Sequence, residues 1–272
     1  MAKVKIQGHA SGTGVLTVTA PNTSTDRTIT LPDATGELLS TAGGTMTGAL
    51  SLQNNVSNST SATLKLTGSS NATQDNFILF GDNATSVPIA MGFDNSENTF
   101  KIARNANDDL NSNIYFKMDS SGAVTMPSQP AFLLQQTSNV SNVTGNGTNH
   151  TMVYGTETFD QNADCSSSTF TAPVTGKYHF NVSIAFVSLS SATDVFIDLM
   201  TSNRNYRWNP LGNNPTTTGN TPYPIISGSI LADMDASDTA YVRVHVNGVG
   251  ADSVDIYGDA MSATNFSGHL VC

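Results

Sequence analysis

Charge is what this chain has least of. Only 12% of its 272 residues are Asp, Glu, Lys or Arg, about half the usual share of roughly 25%. The 11 Lys and Arg are outnumbered by 21 Asp and Glu, giving a net charge of −10, and they are scattered along the sequence. Nucleic-acid binding needs a basic face, so no nucleic-acid partner is expected. Cysteine is nearly absent: Cys165 and Cys272 exclude a disulfide framework and leave one bridge at most, with free thiols expected in a protein made in the cytosol. No apolar run is long enough to span a bilayer. Met1-Ala2-Lys3-Val4-Lys5-Ile6 carries two positive charges with no apolar stretch behind them, so no signal peptide is read. Long segments with apolar residues at helical spacing are also missing, and Leu, Lys and Glu are scarce.

What fills the gap is Ser, Thr and Asn, residues that favour turns and strands over helix interiors. Alternating Val, Ile, Leu and Phe punctuate these polar stretches, which argues against disorder and for an all-β chain. Residues 1–45 hold short alternating runs (Val4, Ile6; Val15, Val18; Ile29, Leu31) around Gly- and Pro-containing turns. They read as an N-terminal β module too small to bury much core alone. In residues 46–130, strand-like runs such as Phe77-Ile78-Leu79-Phe80 and Ile114-Tyr115-Phe116 recur about every ten residues. Pro127-Ser128-Gln129-Pro130 disfavours both helix and ladder and marks the best boundary. Strands are predicted beyond it at 131–136, 151–155, 170–172, 177–187, 193–200, 225–231, 239–246, 252–259 and 265–271, enough for a double-sheet jelly roll in 131–272.

Two resemblances follow from motifs in these regions. Phe170-Thr171-Ala172-Pro173-Val174-Thr175-Gly176-Lys177-Tyr178-His179-Phe180 and the closing Phe266-Ser267-Gly268-His269-Leu270 resemble the C1q/TNF-like jelly roll. Between them, Leu231 to Val242 resembles a turn and strand of that family, with Ala236-Ser237-Asp238 where a Gly is common. Asp33-Ala34-Thr35-Gly36-Glu37-Leu38-Leu39 and Gly43-Gly44-Thr45-Met46-Thr47-Gly48-Ala49-Leu50 resemble sequence of bacteriophage tail fibres, and 76–126 is similar to fibre-shaft modules. Both resemblances imply a homotrimer: a C1q-like head on an interleaved β shaft, with Met46, Leu50 and Leu52 meeting their copies across a three-fold axis.

A search for chemistry finds no nucleophile elbow, no phosphate-binding Walker loop, no His-Glu-x-x-His and no Cys pair at metal spacing. Neither an enzyme nor a cofactor is expected. Asp233, Asp235 and Asp238 share one loop and form a weak Ca²⁺ candidate. His179, His245 and His269 fall in predicted strands, either as packed groups or as metal ligands meeting on an axis. The most function-like segment runs from Arg204 to Tyr223, read as a Pro/Asn/Gly-rich loop. It holds Arg204, Tyr206, Arg207, Trp208 and Tyr223, and surface aromatics with Arg are typical binding hot spots. The alternative is that Trp208, the single tryptophan, packs the end of the jelly roll or a subunit interface. The expectation is a phage virion fibre, made in the host cytoplasm and carried on the tail or capsid exterior. Residues 1–45 would hold other virion proteins, and the head would bind a bacterial surface glycan or protein, without membrane insertion. The competing expectation is a capsid decoration or head fibre protein, favoured by the shortness of the chain, and anchored by its N-terminus.

Overall fold

Short β-branched and aromatic runs separated by Asn, Asp, Ser and Gly turns become antiparallel strands along this chain. The computed structural model describes residues 75–81, 89–104, 110–189, 191–209 and 223–272, and among the described residues every regular element is a strand. The N-terminal module and the shaft residues Met46, Leu50 and Leu52 lie outside them. Lys65–Cys272 form one compact unit.

The first body is a meander: β1 (Asn76–Phe80), β2 (Ile89–Asp94), β3 (Thr99–Arg104), β4 (Ile114–Met118) and β5 (Val124–Thr125), each paired with the next. Two of its hairpins turn on the same device. Asp94 Oδ1 accepts from the Ser96 and Glu97 amides and the Ser96 hydroxyl. Asp119 Oδ1 accepts from the Ser121 and Ala123 amides and the Ser121 hydroxyl. These side chains take over backbone donors that the turn would otherwise leave open.

Side chains alternate between the faces of a sheet. One face of this sheet packs Ala90 and Ala103 beneath Leu110, all fully buried. It also buries the whole Lys101 side chain, whose ammonium lies 2.5 Å from Asp94 and 3.2 Å from Glu97. Burial alone would raise the Asp94 carboxyl. Hydrogen bonds from Lys101, Ser96 and Glu97 outweigh it and hold the group at about 2.

The second body is the jelly roll. Its strands are β6 (Ala131–Gln135), β7 (Val140–Thr144), β8 (Asn149–Thr151), β9 (Thr156–Asp160), β10 (Cys165–Ser166), β11 (Thr169–Thr171), β12 (Gly176–Val187), β13 (Asp194–Thr201), β14 (Asn205–Trp208), β15 (Ile225–Met234), β16 (Thr239–Asn247), β17 (Val254–Ile256) and β18 (Asn265–Leu270). The back sheet runs β7-β17-β12-β18-β6-β9, with β15 also paired to β12. The front sheet runs β10-β11-β16-β13-β14, with β8 also paired to β16. The first and last strands of the roll, β6 and β18, are neighbours in the back sheet.

Eight of the nine expected strands are present, with β17 shortened to 254–256; the one expected at 151–155 meets β8 only at Thr151, and residues 152–155 form no strand. Four further strands, β7, β9, β10 and β14, were not expected from sequence. They are short and mostly polar: long-range ladders to β17 and β6 hold β7 and β9, and hairpin ladders to β11 and β13 hold β10 and β14.

The family-like motifs build the centre of the roll. Phe170 comes from the front sheet; Phe132, Tyr178, Phe180 and Phe266 come from the back sheet. Phe132 stacks on Phe170 at 5.0 Å and meets Phe266 edge-on at 4.9 Å. Phe170 lies 5.3 Å from Tyr178 and 5.7 Å from Phe180. Such ring geometry adds to the burial of five large side chains. The Tyr178 hydroxyl reaches out of this cluster to donate to the Val174 carbonyl at 2.8 Å, closing the Pro173–Gly176 turn. Gly268 of the closing motif is demanded by the same rings: a Cβ there would sit 2.6 Å from Phe180 and 2.8 Å from Phe132.

Where the family commonly has Gly, Ser237 takes φ of 76°. That left-handed geometry is costly for a residue with a Cβ. The turn nevertheless closes, with Ser237 donating to the Ala172 carbonyl at 2.7 Å. Both cysteines are free, Cys165 half-buried and Cys272 exposed, and burial pushes the Cys165 thiol upward.

Candidate functional site

Asn205–Trp208 is a strand where a loop was expected. β14 is the edge of the front sheet, paired in register with β13 from Ile197↔Trp208 to Met200↔Asn205. Its alternation therefore decides what each residue can do. Tyr206 and Trp208 stand opposite Leu199 and Ile197, and both pack half-buried against the core. Arg207 stands opposite Asp198 on the outer face.

Asp198 is 1% exposed, and two arginines converge on it. Arg207 grips it bidentately, Nε to Oδ1 at 2.7 Å and Nη2 to Oδ2 at 3.0 Å. Arg243 of β16 adds Nη2 to Oδ2 at 2.7 Å. Burial would raise the Asp198 carboxyl; the two guanidinium groups overcome this and lower it. Bidentate pairing fixes the plane of the guanidinium. The Arg207 group lies 3.5 Å above the centre of the Phe196 ring, and His245 stacks parallel to Phe196 at 4.3 Å. Burial also lowers the His245 imidazole, so it is held toward its neutral form. His245 Nδ1 lies 3.1 Å from Asn149 Oδ1, and Asn209 Nδ2 donates to Asp194 Oδ1 at 3.3 Å. The result is a flat outer face that offers an oriented guanidinium, an imidazole plane and amides. Such groups suit hydroxyl- or carboxylate-bearing ligands and the faces of sugar rings.

The expected hot-spot residues are thus not gathered at one point. Arg207 is 53% exposed on this face, whereas Tyr206 and Trp208 lie on the other side of the strand. Arg204 is exposed and paired at 2.8 Å with Asp233. Tyr223 stacks on Tyr257 at 3.8 Å, forming a separate aromatic pair. The Asn213–Pro215 part of the segment lies outside the described residues.

Trp208 packs across the sandwich. Its indole lies on Gly228 of β15, so closely that a Cβ there would fall 2.2 Å from Nε1. We expect Gly228→Ala to push the indole outward and shift the emission of this single tryptophan to the red. An unchanged spectrum would sink the packing.

Two of the three aspartates of the Ca²⁺ candidate have their carboxylates engaged. Asp233 Oδ2 takes Arg204, and Asp238 Oδ2 accepts from the Asp235 amide at 2.8 Å. Among the described residues no three His, Cys, Asp or Glu are grouped so as to hold a metal ion. His179 and His269 pair across β12 and β18, ring centres 5.4 Å apart.

Sequence reading missed Phe196, Asp198 and Arg243, and it named His245 only as a packed group or metal ligand in a strand, not as part of this face. The usable signal was Asp198 itself, a carboxylate inside the apolar run Val195–Leu199, where a buried charge requires partners.

Among curated proteins none matches this sequence. Solved structures that it resembles include murine APRIL at pH 8.5 (9% identity, TM-score 0.36) and murine APRIL at pH 5.0 (9% identity, TM-score 0.37). Each comparison covers 53% of this chain and 100% of the other. The family model of the C1q domain matches residues 131–271. These residues include both aromatic motifs, the two-sheet roll and the adjacent first and last strands, and the chain belongs to the C1q domain family.

Proposed function

We propose that this chain is a homotrimeric virion fibre whose C1q-family head binds a bacterial surface glycan or protein during phage adsorption. Domains of this family are typically trimeric binding modules and generally not enzymes, and residues 131–271 are such a domain. The observation that carries the binding reading is the outer face of the front sheet, where Asp198 fixes Arg207 over Phe196 and His245. A rigid, oriented arginine beside aromatic planes loses little entropy on binding. Three copies linked in one trimer would add their weak contacts at high effective concentration. The virion assignment is supported by the fibre-like runs Asp33–Leu39 and Gly43–Leu50, with residues 1–45 as the segment that holds other virion proteins.

The test is antibody labelling of the head on intact virions, read by electron microscopy, together with binding of purified protein to host cells. Label on the tail with saturable cell binding is expected. Arg207→Ala should weaken binding at least about tenfold, roughly 1.4 kcal/mol or more, with Trp208 emission unchanged. Label spread over the capsid would make the chain a capsid decoration protein instead, and virions without label would end the virion assignment.

A further inference from the structure

The β1–β5 meander has one face that nothing within the described residues covers. Cross-strand partners share a face, so the register places Ile78, Met91, Ile102 and Phe116 in one row across four strands. Phe80 and Phe93 flank that row on the same face. Phe100 and Phe116 meet edge-on at 6.3 Å, consistent with this assignment. The face is apolar at every paired position except Asn76 and Arg104, both at its rim. The charged residues Asp94, Lys101 and Lys117 all belong to the opposite face. In a single chain Phe80 is 53% exposed and Phe93 40% exposed.

The opposite face is already covered at Ala90, Lys101 and Ala103, and the side left bare is the more apolar of the two. Ile78, Phe80, Ile89, Phe93, Met118 and Val124 on this face are each 37–53% exposed, and ordinary monomers rarely leave a contiguous apolar patch larger than about 300–600 Å² bare. A charged or polar partner would be mismatched to a face with no charge at its centre. The stretch leading into β1, residues 53–74, contains few large apolar side chains, namely Val56, Leu64 and Leu66. The same face on another copy matches it in both area and chemistry. The five strands of the sheet pair within one chain, so packing this face on other copies requires no exchange of strands.

We infer that this face packs against the same face of two further copies, so that three intact meanders close around one axis into an apolar prism below the heads. This rests on the homotrimer proposed above. The meander is tied to the head: Gln161 Nε2 donates to the Met126 and Gln129 carbonyls at 3.1 and 2.7 Å, and Asn162 Nδ2 to the Ser128 carbonyl at 3.0 Å. A shared axis for head and meander is therefore compatible with the short connection between them.

The experiment uses the full chain with Cys165→Ser and Cys272→Ser. Single cysteines are introduced by Phe80→Cys or Phe93→Cys, with Met261→Cys, at a position 89% exposed, as the open reference. Maleimide labelling rates are measured alongside mass by light scattering. Labelling at least about tenfold slower at positions 80 and 93 than at 261, in a species of three chain masses, is the expected result. A trimeric mass with labelling as fast as at 261 would overturn the prism while leaving a trimer held by the heads. Slow labelling in a species of one chain mass would mean that the chain's own N-terminal residues cover the face, and both readings would fall. Any mass other than three chains excludes the three-fold packing.

Discussion

Phe266→Ala will lower the stability of the jelly roll by about 3–5 kcal/mol, the range for deleting a buried aromatic. Phe266 is fully buried on β18, between β12 and β6, where its neighbours in register are Val182 and Leu134. Its ring contacts Phe132 at 4.9 Å, Phe180 at 5.9 Å and Tyr154 at 6.3 Å. Those neighbours are anchored in both sheets through Phe132 and Phe170, so the site cannot collapse around the missing ring. A loss of that size consumes much of the roughly 5–15 kcal/mol that holds a typical domain folded. Urea unfolding at one fixed protein concentration, followed by Trp208 fluorescence, measures it, since assembly makes stability depend on concentration. Phe266→Leu, which retains most of the volume, should cost distinctly less. If the two variants are equally mild, Phe266 does not hold the two sheets together.

The second large effect is expected at Lys101. Lys101→Met fits an apolar side chain into the same space and leaves the buried Asp94 carboxylate without its counter-charge. Removing one partner of a buried ion pair costs about 3–5 kcal/mol, because the remaining charge stays desolvated. The loss should be local: amide hydrogen exchange in β2 to β4 should quicken while the centre of the jelly roll stays protected. Adding Asp94→Asn, which removes the charge and keeps an Oδ1 acceptor for the Ser96 and Glu97 amides, should recover much of the loss.

The pH dependence gives an independent check. Asp94 has its carboxyl depressed to about 2 in the folded chain, below the roughly 3.9 of an unfolded chain. Its contribution is therefore complete above about pH 4 and is lost as the pH falls toward 2. Lys101 is shifted upward: burial opposes the shift, and Asp94 and Glu97 drive it. Its contribution is complete below its unfolded value and is lost only as the pH rises through the folded one. The gap between wild type and Lys101→Met should narrow on acidification from pH 5 to pH 3. A gap that stays constant over that range would mean that the variant acts through packing alone.

How much of this was legible beforehand differs from residue to residue. The twelve-residue strand β12 announces itself, because Tyr178, Phe180, Val182 and Ile184 alternate with His179, Asn181 and Ser183, and its burial follows that alternation. The aromatic motifs around Phe170 and Phe266 were readable through their resemblance to the C1q/TNF-like jelly roll, and the rings they place together account for Gly268. The segment from Arg204 was misread as a loop, because the alternation of Asn205 and Arg207 with Tyr206 and Trp208 spans only four residues beside a Pro/Asn/Gly-rich stretch, and pairing with β13 makes it a strand.

The sequence by itself determined the all-β class, the alternation of the long strands and the membership of the aromatic centre. These depend on the two-residue period of a strand, which is local. Only the tertiary structure decided that Arg207 faces outward while Trp208 packs on Gly228, that Asp198 draws Arg243 from a strand 45 residues away, and that Lys101 is buried while the opposite face of its sheet is bare. Alternation sorts side chains into two faces, but which face is covered, and by what, depends on the distant segments the fold brings alongside.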